Sequence, residues 1–270
     1  MNWSDCLFQP ELGPHWNGVR LAVSVAGPQS PERPYGLNLG LHVGDHADEV
    51  HARRQALSTW MGAPIVWLNQ VHGTEVFCAN QPVPMDVTPA QADACTALNS
   101  EVALAIMTAD CLPAVFVAQN RHGQAVGVAA AHAGWRGLQA GVLEKTVREL
   151  IGLTQTDVNL VSGWLGPCIG PSSFEVGQEV FDAFVLSHPE NADFFVPVTG
   201  QNTVESPAVP RKYLADLRAL ADSALRRCGL SDIQQSDVDT FTDSRWFSHR
   251  RAQKLGVPAG RFATLIRLLP

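Results

Sequence analysis

The sequence predicts an α+β fold: a single domain, residues 1–270, of mixed β-sheets packed with helices. Three observations lead there. Short apolar runs with β-branched or aromatic content outnumber segments of helical periodicity. The two kinds of element do not alternate strictly, as they would in a doubly wound sheet. Neither a GxGxxG turn nor a Walker loop is present. With 46% hydrophobic and 17% charged residues in a chain of 270, the apolar content suffices for a substantial interior and one large domain.

In chain order, strands are expected over residues 19–25, 65–69, 102–107, 114–118, 125–131 and 158–165, each an apolar run bounded by Gly, Pro, Asn or Asp. A helix is expected over 138–151, where Leu138, Val142, Leu143, Val147 and Leu150 recur at helical intervals. Glu144 and Arg148 stand four apart on its polar side, and Gly152 is a natural stop. A weaker helix is expected over 175–186, interrupted by Gly177. Another over 212–228 places Leu214, Leu217, Leu220, Ala224 and Leu225 on one face and ends at Gly229. The apolar run 262–269 completes a sheet. Loops at 27–34 and 81–89 are proline-rich and 187–210 has little periodicity, but none resembles a linker between separate cores.

Charge and cysteine usage narrow the function. The formal charge of -7 and a pI near 5.7 argue against a surface that tracks nucleic-acid phosphates. The six cysteines are scattered without a CxxC pair, which points to reduced thiols in the cytoplasm. Met1-Asn2-Trp3-Ser4-Asp5 has neither a basic nor an apolar leader region. The longest apolar stretch, 102–118, is broken by Asp110 and Pro113, so no membrane span is expected. A small-molecule ligand fits best, and the oligomeric state is left open.

Three segments carry residues suited to one reaction centre: Asn69-Gln70-Val71-His72-Gly73, Thr108-Ala109-Asp110-Cys111 and His132-Ala133-Gly134-Trp135-Arg136-Gly137. Two imidazoles and a thiolate are donors that zinc or copper takes, and three protein ligands leave a fourth position open. Because the ligands lie far apart in sequence, each keeps a structural alternative. His72 follows an apolar strand and precedes a glycine, so it is either functional or packed under a loop. Cys111 is either a small buried hydrophobe or a ligand, and Asp110 beside it raises the thiol pKa unless a cation offsets it. Asp110 itself either faces the site as a proton shuttle or anchors a ligand. Arg136, at a strand-to-helix turn, either binds an anion together with helix amides or stacks on Trp135 at the surface. Cys168, in Gly166-Pro167-Cys168-Ile169-Gly170, is either a fourth ligand closing a structural site or has no role.

Taken together, these segments resemble the YfiH family, also called the laccase-domain or polyphenol-oxidase-like family, which is related in fold to cytotoxic necrotizing factor. The resemblance rests on Leu37-Asn38-Leu39-Gly40, His42-Val43-Gly44-Asp45, QVHG, TADCLP, HAGWRG, the GP-x-IG and FEVG segments, Asp216-Leu217 and Phe247-Ser248-His249-Arg250-Arg251. It implies a catalytic zinc, with copper as the alternative, on His72, Cys111 and His132, beside which the residues' own settings lead us to expect Asp110 and Arg136 as catalytic residues. The expected substrate contacts are Asn38, Gln70, Arg136 and Glu175. The resemblance further implies a purine nucleoside phosphorylase acting on adenosine, inosine and methylthioadenosine with phosphate, and an adenosine deaminase activity. Some members look like peptidoglycan editing factors. Two departures stand out: Ser24-Val25-Ala26-Gly27-Pro28 lacks the arginine of a Thr-Arg-x-Gly-Gly segment, and Asp239-Thr240 replaces a Cys-Thr pair.

Three rival readings accompany phosphorolysis: a copper-dependent polyphenol oxidase, a peptidoglycan-precursor editing hydrolase and a metal-stabilised binding protein without turnover. The oxidase reading is the least natural. Complete reduction of dioxygen draws on a copper cluster fed by many histidines, and this chain has nine with no His-x-His pair.

Overall fold

The apolar stretch around Asp110 is divided between two sheets. Its first half, β6 (Ala103–Thr108), joins β1 (Leu7–Phe8), β2 (Val19–Ser24), β3 (Ile65–Val66) and β14 (Phe262–Leu268) in the order β1-β2-β14-β6-β3. Its second half, β7 (Leu112–Gln119), joins β4 (Val76–Cys78), β5 (Ala94–Ala97), β8 (Ala125–Ala133), β9 (Val161–Leu165) and β13 (Asp232–Gln235) in the order β13-β9-β7-β8-β5-β4. A small antiparallel sheet is made by β10 (Glu175–Gly177), β12 (Lys212–Ala215) and β11 (Phe195–Pro197). Both large sheets are mixed, with parallel pairs β3–β6, β4–β5 and β9–β13. The structure, a computed structural model, describes residues 3–30, 33–84, 87–198 and 211–270, so parts of the expected loops at 31–32, 85–86 and 199–210 lie outside the described residues.

Period-two alternation sorts each strand's side chains into layers. Along β7, Val115 and Val117 join Leu104 and Ile106 of β6 and Phe262 and Ile266 of β14 in a core between the two large sheets. Leu112, Ala114, Phe116 and Ala118 point the other way, against Leu143, Val147 and Leu150 of α3 (Val142–Thr154) and Leu220 and Leu225 of α5 (Leu217–Arg227). The outer face of the first sheet, through Ala105, Met107 and Leu265, is covered by Leu57 and Met61 of α1 (Ala47–Met61). The result is helix, sheet, sheet, helix, an α+β architecture as the sequence predicts. Truncating a fully buried residue such as Phe116 to alanine would cost about 3–5 kcal/mol. Among the described residues, no helix is long and apolar enough to cross a membrane.

Several element boundaries differ from the sequence expectation, each for a physical reason. Residues 175–177 and 212–215 are strands rather than helix starts because they pair with each other, Glu175 opposite Leu214 and Gly177 opposite Lys212. The helices begin afterwards, as α4 (Gln178–Val185) and as α5, whose N-cap Asp216 accepts from the backbone N–H groups of Arg218 and Ala219 at 3.0 Å. The helix expected at 138–151 is broken by Gly141 (φ 89°) into α2 (Trp135–Gln139) and α3. Helix α3 runs through Gly152, whose α-position faces open space, and stops at Gln155 (φ 55°). The expected strand at 158–165 begins with a 3-10 turn, Val158–Leu160, and that at 65–69 shortens to β3. Two helices have no counterpart in the apolar pattern. In α1 the buried face includes Arg53 and Arg54, which donate to the carbonyls of Asn38 and Leu39. The other, α6 (His249–Leu255), is a short polar helix capped by Ser248 and stopped by Gly256 (φ 65°).

Candidate metal centre

His72, Cys111 and His132 converge at one end of the two large sheets. Their ligand atoms all lie within 4.8 Å of one another, and Cys111 Sγ is 3.9 Å from His72 Nε2. Three different local devices place them. His132 lies near the end of β8, fixed by antiparallel pairing with Pro113 of β7. Cys111 sits in the turn by which the chain leaves β6 for β7, a turn made possible by the positive φ of Asp110 (90°). His72 itself is left-handed (φ 61°) and lies on the loop after β3. Glycines let these segments approach: a Cβ on Gly134 would stand 2.8 Å from His72 Cδ2 and 3.2 Å from Cys111 Sγ, and one on Gly137 would stand 3.0 Å from the Gly73 carbonyl.

The residue behind this arrangement is Asp93, which the sequence reading did not single out. It is fully buried. Its carboxylate accepts from His132 Nδ1 at 2.8 Å and from the backbone N–H groups of Val71, His72 and Gly73 at 3.1, 2.9 and 2.7 Å. Burial raises the Asp93 pKa, but these donors outweigh it and hold the carboxyl below its usual range. A sequence signal existed: an acidic residue directly preceding a run that reads Ala94-Cys95-Thr96-Ala97 must have partners if the run is core.

Both oxygens of the Asp110 carboxylate are engaged. Its oxygens accept from Thr240 Oγ1 at 2.8 Å and from the Arg250 backbone N–H at 2.7 Å, tying the Cys111 turn to the start of α6. Burial pushes the Cys111 thiol up, yet the His132 and His72 imidazoles, as charges and as donors, bring it down to about 6. The imidazole of His132 responds in the opposite sense: burial lowers it, and Cys111 and Asp93 hold it well above its ordinary value. A thiolate beside imidazoles, one of them braced by a carboxylate, is the donor chemistry a zinc-type ion takes, and the residues present fit such an ion.

The trio opens into a cavity of about 410 Å³, also lined by His42, Asn69, Gln70, Thr108, His249 and Arg261. That volume lies in the range of small-molecule sites, roughly 300–1,000 Å³. Arg261 brings a positive charge to the cavity, and its guanidinium spends only one nitrogen on the Ala259 and Gly260 carbonyls. Burial, then Arg261 and Arg54, hold the His42 pKa down; burial, then Arg261, do the same for His249 against the pull of Asp110. Thr108 Oγ1 is buried without a hydrogen-bond partner among the described residues. A larger groove of about 580 Å³ lies beside Phe247, Arg251 and Leu255, away from the trio.

The other expected site residues separate. Gln70 lines the cavity, and its amide exchanges two 2.8 Å hydrogen bonds with the Met107 backbone, continuing the pairing that β3 makes with β6. Asn38 does not contact the cavity: its amide donates to the Gly40 carbonyl and to Asp45, and its oxygen accepts from the Gly40 and Arg261 backbones, so every bonding position is used. One of these bonds fixes the backbone of Arg261, the cavity's arginine. Glu175 is also outside the cavity, 3.8 Å from Lys212 Nζ. Arg136 is exposed and lies 4.3 Å over the Trp135 ring, and it does not line the cavity either. Cys168 is no fourth ligand of this cluster: its thiol is buried against the Ile169 carbonyl, and burial pushes it up to about 12.

Both sequence departures have structural settings. Asp239 accepts from the Gly170 and Phe241 backbones and from Ser173 Oγ, so it closes the turn after β9. The 24–28 segment does not line the cavity, whose arginine comes instead from the residue before β14.

A model of the family described as multi-copper polyphenol oxidoreductase laccase matches residues 23–269. The chain is 41% identical over 262 residues to a Pseudomonas aeruginosa protein named a purine nucleoside phosphorylase, covering 95% of this chain and 98% of that one. Escherichia coli YfiH, also named a purine nucleoside phosphorylase, is 39% identical over 266 residues, with 95% and 98% covered. Among solved structures, a Neisseria meningitidis protein, NMB0706, superposes with a TM-score of 0.82 at 34% identity, over 98% of this chain and 100% of the other. Since the match and the relatives extend over almost the whole chain and carry the fold with them, the chain belongs to the multi-copper polyphenol oxidoreductase laccase family, that of the YfiH proteins.

Proposed function

We propose that this chain, acting as one catalytic domain in the cytoplasm, is a zinc-dependent purine nucleoside phosphorylase for adenosine, inosine and methylthioadenosine, with adenosine deaminase as a second activity. One observation carries the proposal: His72, Cys111 and His132 share a nucleoside-sized cavity with a half-buried arginine, Arg261. The names of the relatives support the reaction class.

His72, Cys111 and His132 would hold the ion, which when bound supplies Lewis acidity toward a substrate oxygen. Arg261 takes the phosphate role that the sequence suggests for Arg136: its unspent N–H groups orient the anion for attack at the anomeric carbon, and the bond from that carbon to the purine breaks. The departing base gains a proton, and the neutral imidazoles of His42 and His249 are placed to relay it. Gln70 offers a polar contact on the wall. Asp110 acts through the Cys111 turn rather than as a proton carrier.

The oxidase reading is disfavoured by donor supply. Copper would bind this trio at least as tightly as zinc, but among the described residues the trio is the one group of three or more such donors, too few for a multicopper cluster. The test is metal analysis of purified protein followed by product identification from adenosine and inosine with phosphate. Free base with ribose 1-phosphate is the expected result, and inosine from adenosine marks the deaminase. His72→Ala, Cys111→Ala and His132→Ala should each abolish inosine phosphorolysis with unchanged far-UV circular dichroism. Full activity in Cys111→Ala would sink the mechanism, and loss of the fold on chelation would instead indicate a structural ion.

A further inference from the structure

We propose that Asp93 is the positioning residue of the metal centre: one buried carboxylate presets two of its three ligands, His132 through the ring and His72 through the backbone. The inference rests on the metal-centre reading above. It begins with sheet register. Ala94 pairs with Ala131 and Cys95 with Ala130, so continuation of the ladder by one residue sets Asp93 opposite His132. The His132 backbone N–H donates to the Asp93 carbonyl at 2.7 Å, and the ring then turns its Nδ1 to Asp93 Oδ1 at 2.8 Å. With Nδ1 committed as a donor, Nε2 is the nitrogen left for the cluster.

The same carboxylate reaches the second ligand differently. Asn69 and the 90–92 segment exchange backbone hydrogen bonds, which lays the 69–73 loop across the start of β5. Three successive amides, those of Val71, His72 and Gly73, then converge on the Asp93 oxygens. Such convergence forms an anion-holding nest and requires a left-handed residue, here His72 at φ 61°. A non-glycine residue in that conformation is held against its own preference. Asp93 supplies the compensation. Each of its oxygens takes two hydrogen bonds, filling the acceptor capacity of a carboxylate.

Asparagine at this position keeps the volume but offers only one acceptor oxygen, and its NH₂ meets N–H donors it cannot accept from. Asp93→Asn should therefore release the His132 ring and the His72 loop together. Loss of one such supporting contact typically weakens metal binding about 10–100-fold. With two ligands affected, the expectation is the upper end, about 100-fold weaker zinc binding in competition with a chromogenic chelator, with near-native far-UV circular dichroism. In zinc-loaded wild-type protein labelled with ¹⁵N-histidine, long-range ¹H–¹⁵N correlation should show His132 protonated at Nδ1 and metal-bound at Nε2, a readout that needs no variant to fold. Zinc affinity of Asp93→Asn within about threefold of wild type, or a wild-type His132 bound through Nδ1, would overturn the proposal. Neither measurement involves turnover, so failure of the phosphorylase reading leaves both outcomes interpretable.

Discussion

Gly134→Ala tests whether the close approach of three backbone segments, rather than ligand identity alone, makes the centre. Gly134 has φ -65° and ψ 160°, values open to any residue, so its backbone does not demand glycine. Its missing Cβ does. The added carbon would stand 2.8 Å from His72 Cδ2 and 3.2 Å from Cys111 Sγ. Carbon–carbon contacts settle at roughly 3.5–4.0 Å, so the His72 ring must retreat by about 0.7 Å or more. That exceeds the tolerance of about 0.2 Å on metal–ligand distances, and a misplacement of about 1 Å costs about 100-fold in rate. The expected loss in kcat/KM for inosine is therefore about 100-fold, equivalent to about 2.7 kcal/mol. Weaker zinc binding should accompany it. Stability should change little, because replacing an N-cap glycine by alanine costs about 1 kcal/mol, which is about 2–4 °C in a protein of this size. The assays are steady-state phosphorolysis, chelator competition and thermal melting on one preparation. Wild-type zinc affinity with wild-type kcat/KM in Gly134→Ala would refute the reasoning, and so would a collapse in melting temperature large enough to explain lost activity by unfolding.

The two arginines separate cleanly: Arg261→Ala should raise KM for phosphate at least about tenfold through loss of charge-assisted hydrogen bonds, whereas exposed Arg136→Ala should stay within about twofold, and the reverse ranking would restore Arg136 as the phosphate residue. In metal-free protein the Cys111 thiol, lowered to about 6, should react with iodoacetamide along a profile whose midpoint lies near that value, so reactivity falls as pH drops through it; a midpoint near 9 would remove the influence of His132 and His72. Zinc should protect the same thiol from alkylation. Because the Asp93 carboxyl is held below its usual range, the stability it contributes is fully present above the unfolded carboxylate value and is lost as pH falls through the folded one, so Asp93→Asn should flatten the acid limb of a melting-temperature profile; an unchanged acid limb would contradict that assignment.

Much of the sheet interior was legible because burial on both faces leaves uninterrupted apolar runs. The strands at β2, β6, β7, β8 and β14 are of this kind, and the expected C-terminal strand pairs with both β2 and β6. Helices of ordinary amphipathic pattern, α3 and α5, were legible over most of their length. Helix α1 was not, since a buried arginine reads as polar whether or not carbonyls satisfy it. Residues 175–177 and 212–215 were misread because their strand character comes from pairing across distant parts of the chain, which no local window contains. The same divide runs through the site. His72, Cys111 and His132 could be nominated from donor chemistry and from glycine-rich surroundings, whereas Asp93, His42, His249 and Arg261 stand in segments whose local pattern carries no metal or anion signal.

By itself the sequence determined the α+β class and nominated two imidazoles and a thiol as a candidate donor set, with the small residues that permit their approach, because composition and short-range periodicity report on burial and ligand chemistry directly. Only the tertiary structure decided which carboxylate braces the site, which arginine faces the cavity and which way Asp110 points. Those outcomes depend on register and chain crossing. The pairing of β5 with β8 sets Asp93 against His132, and the turn from β6 to β7 sends the Asp110 carboxylate toward α6 while the Cys111 thiol joins the cluster. Side-chain direction is a property of such long-range geometry, and residues of the same type differ in function according to where the backbone aims them.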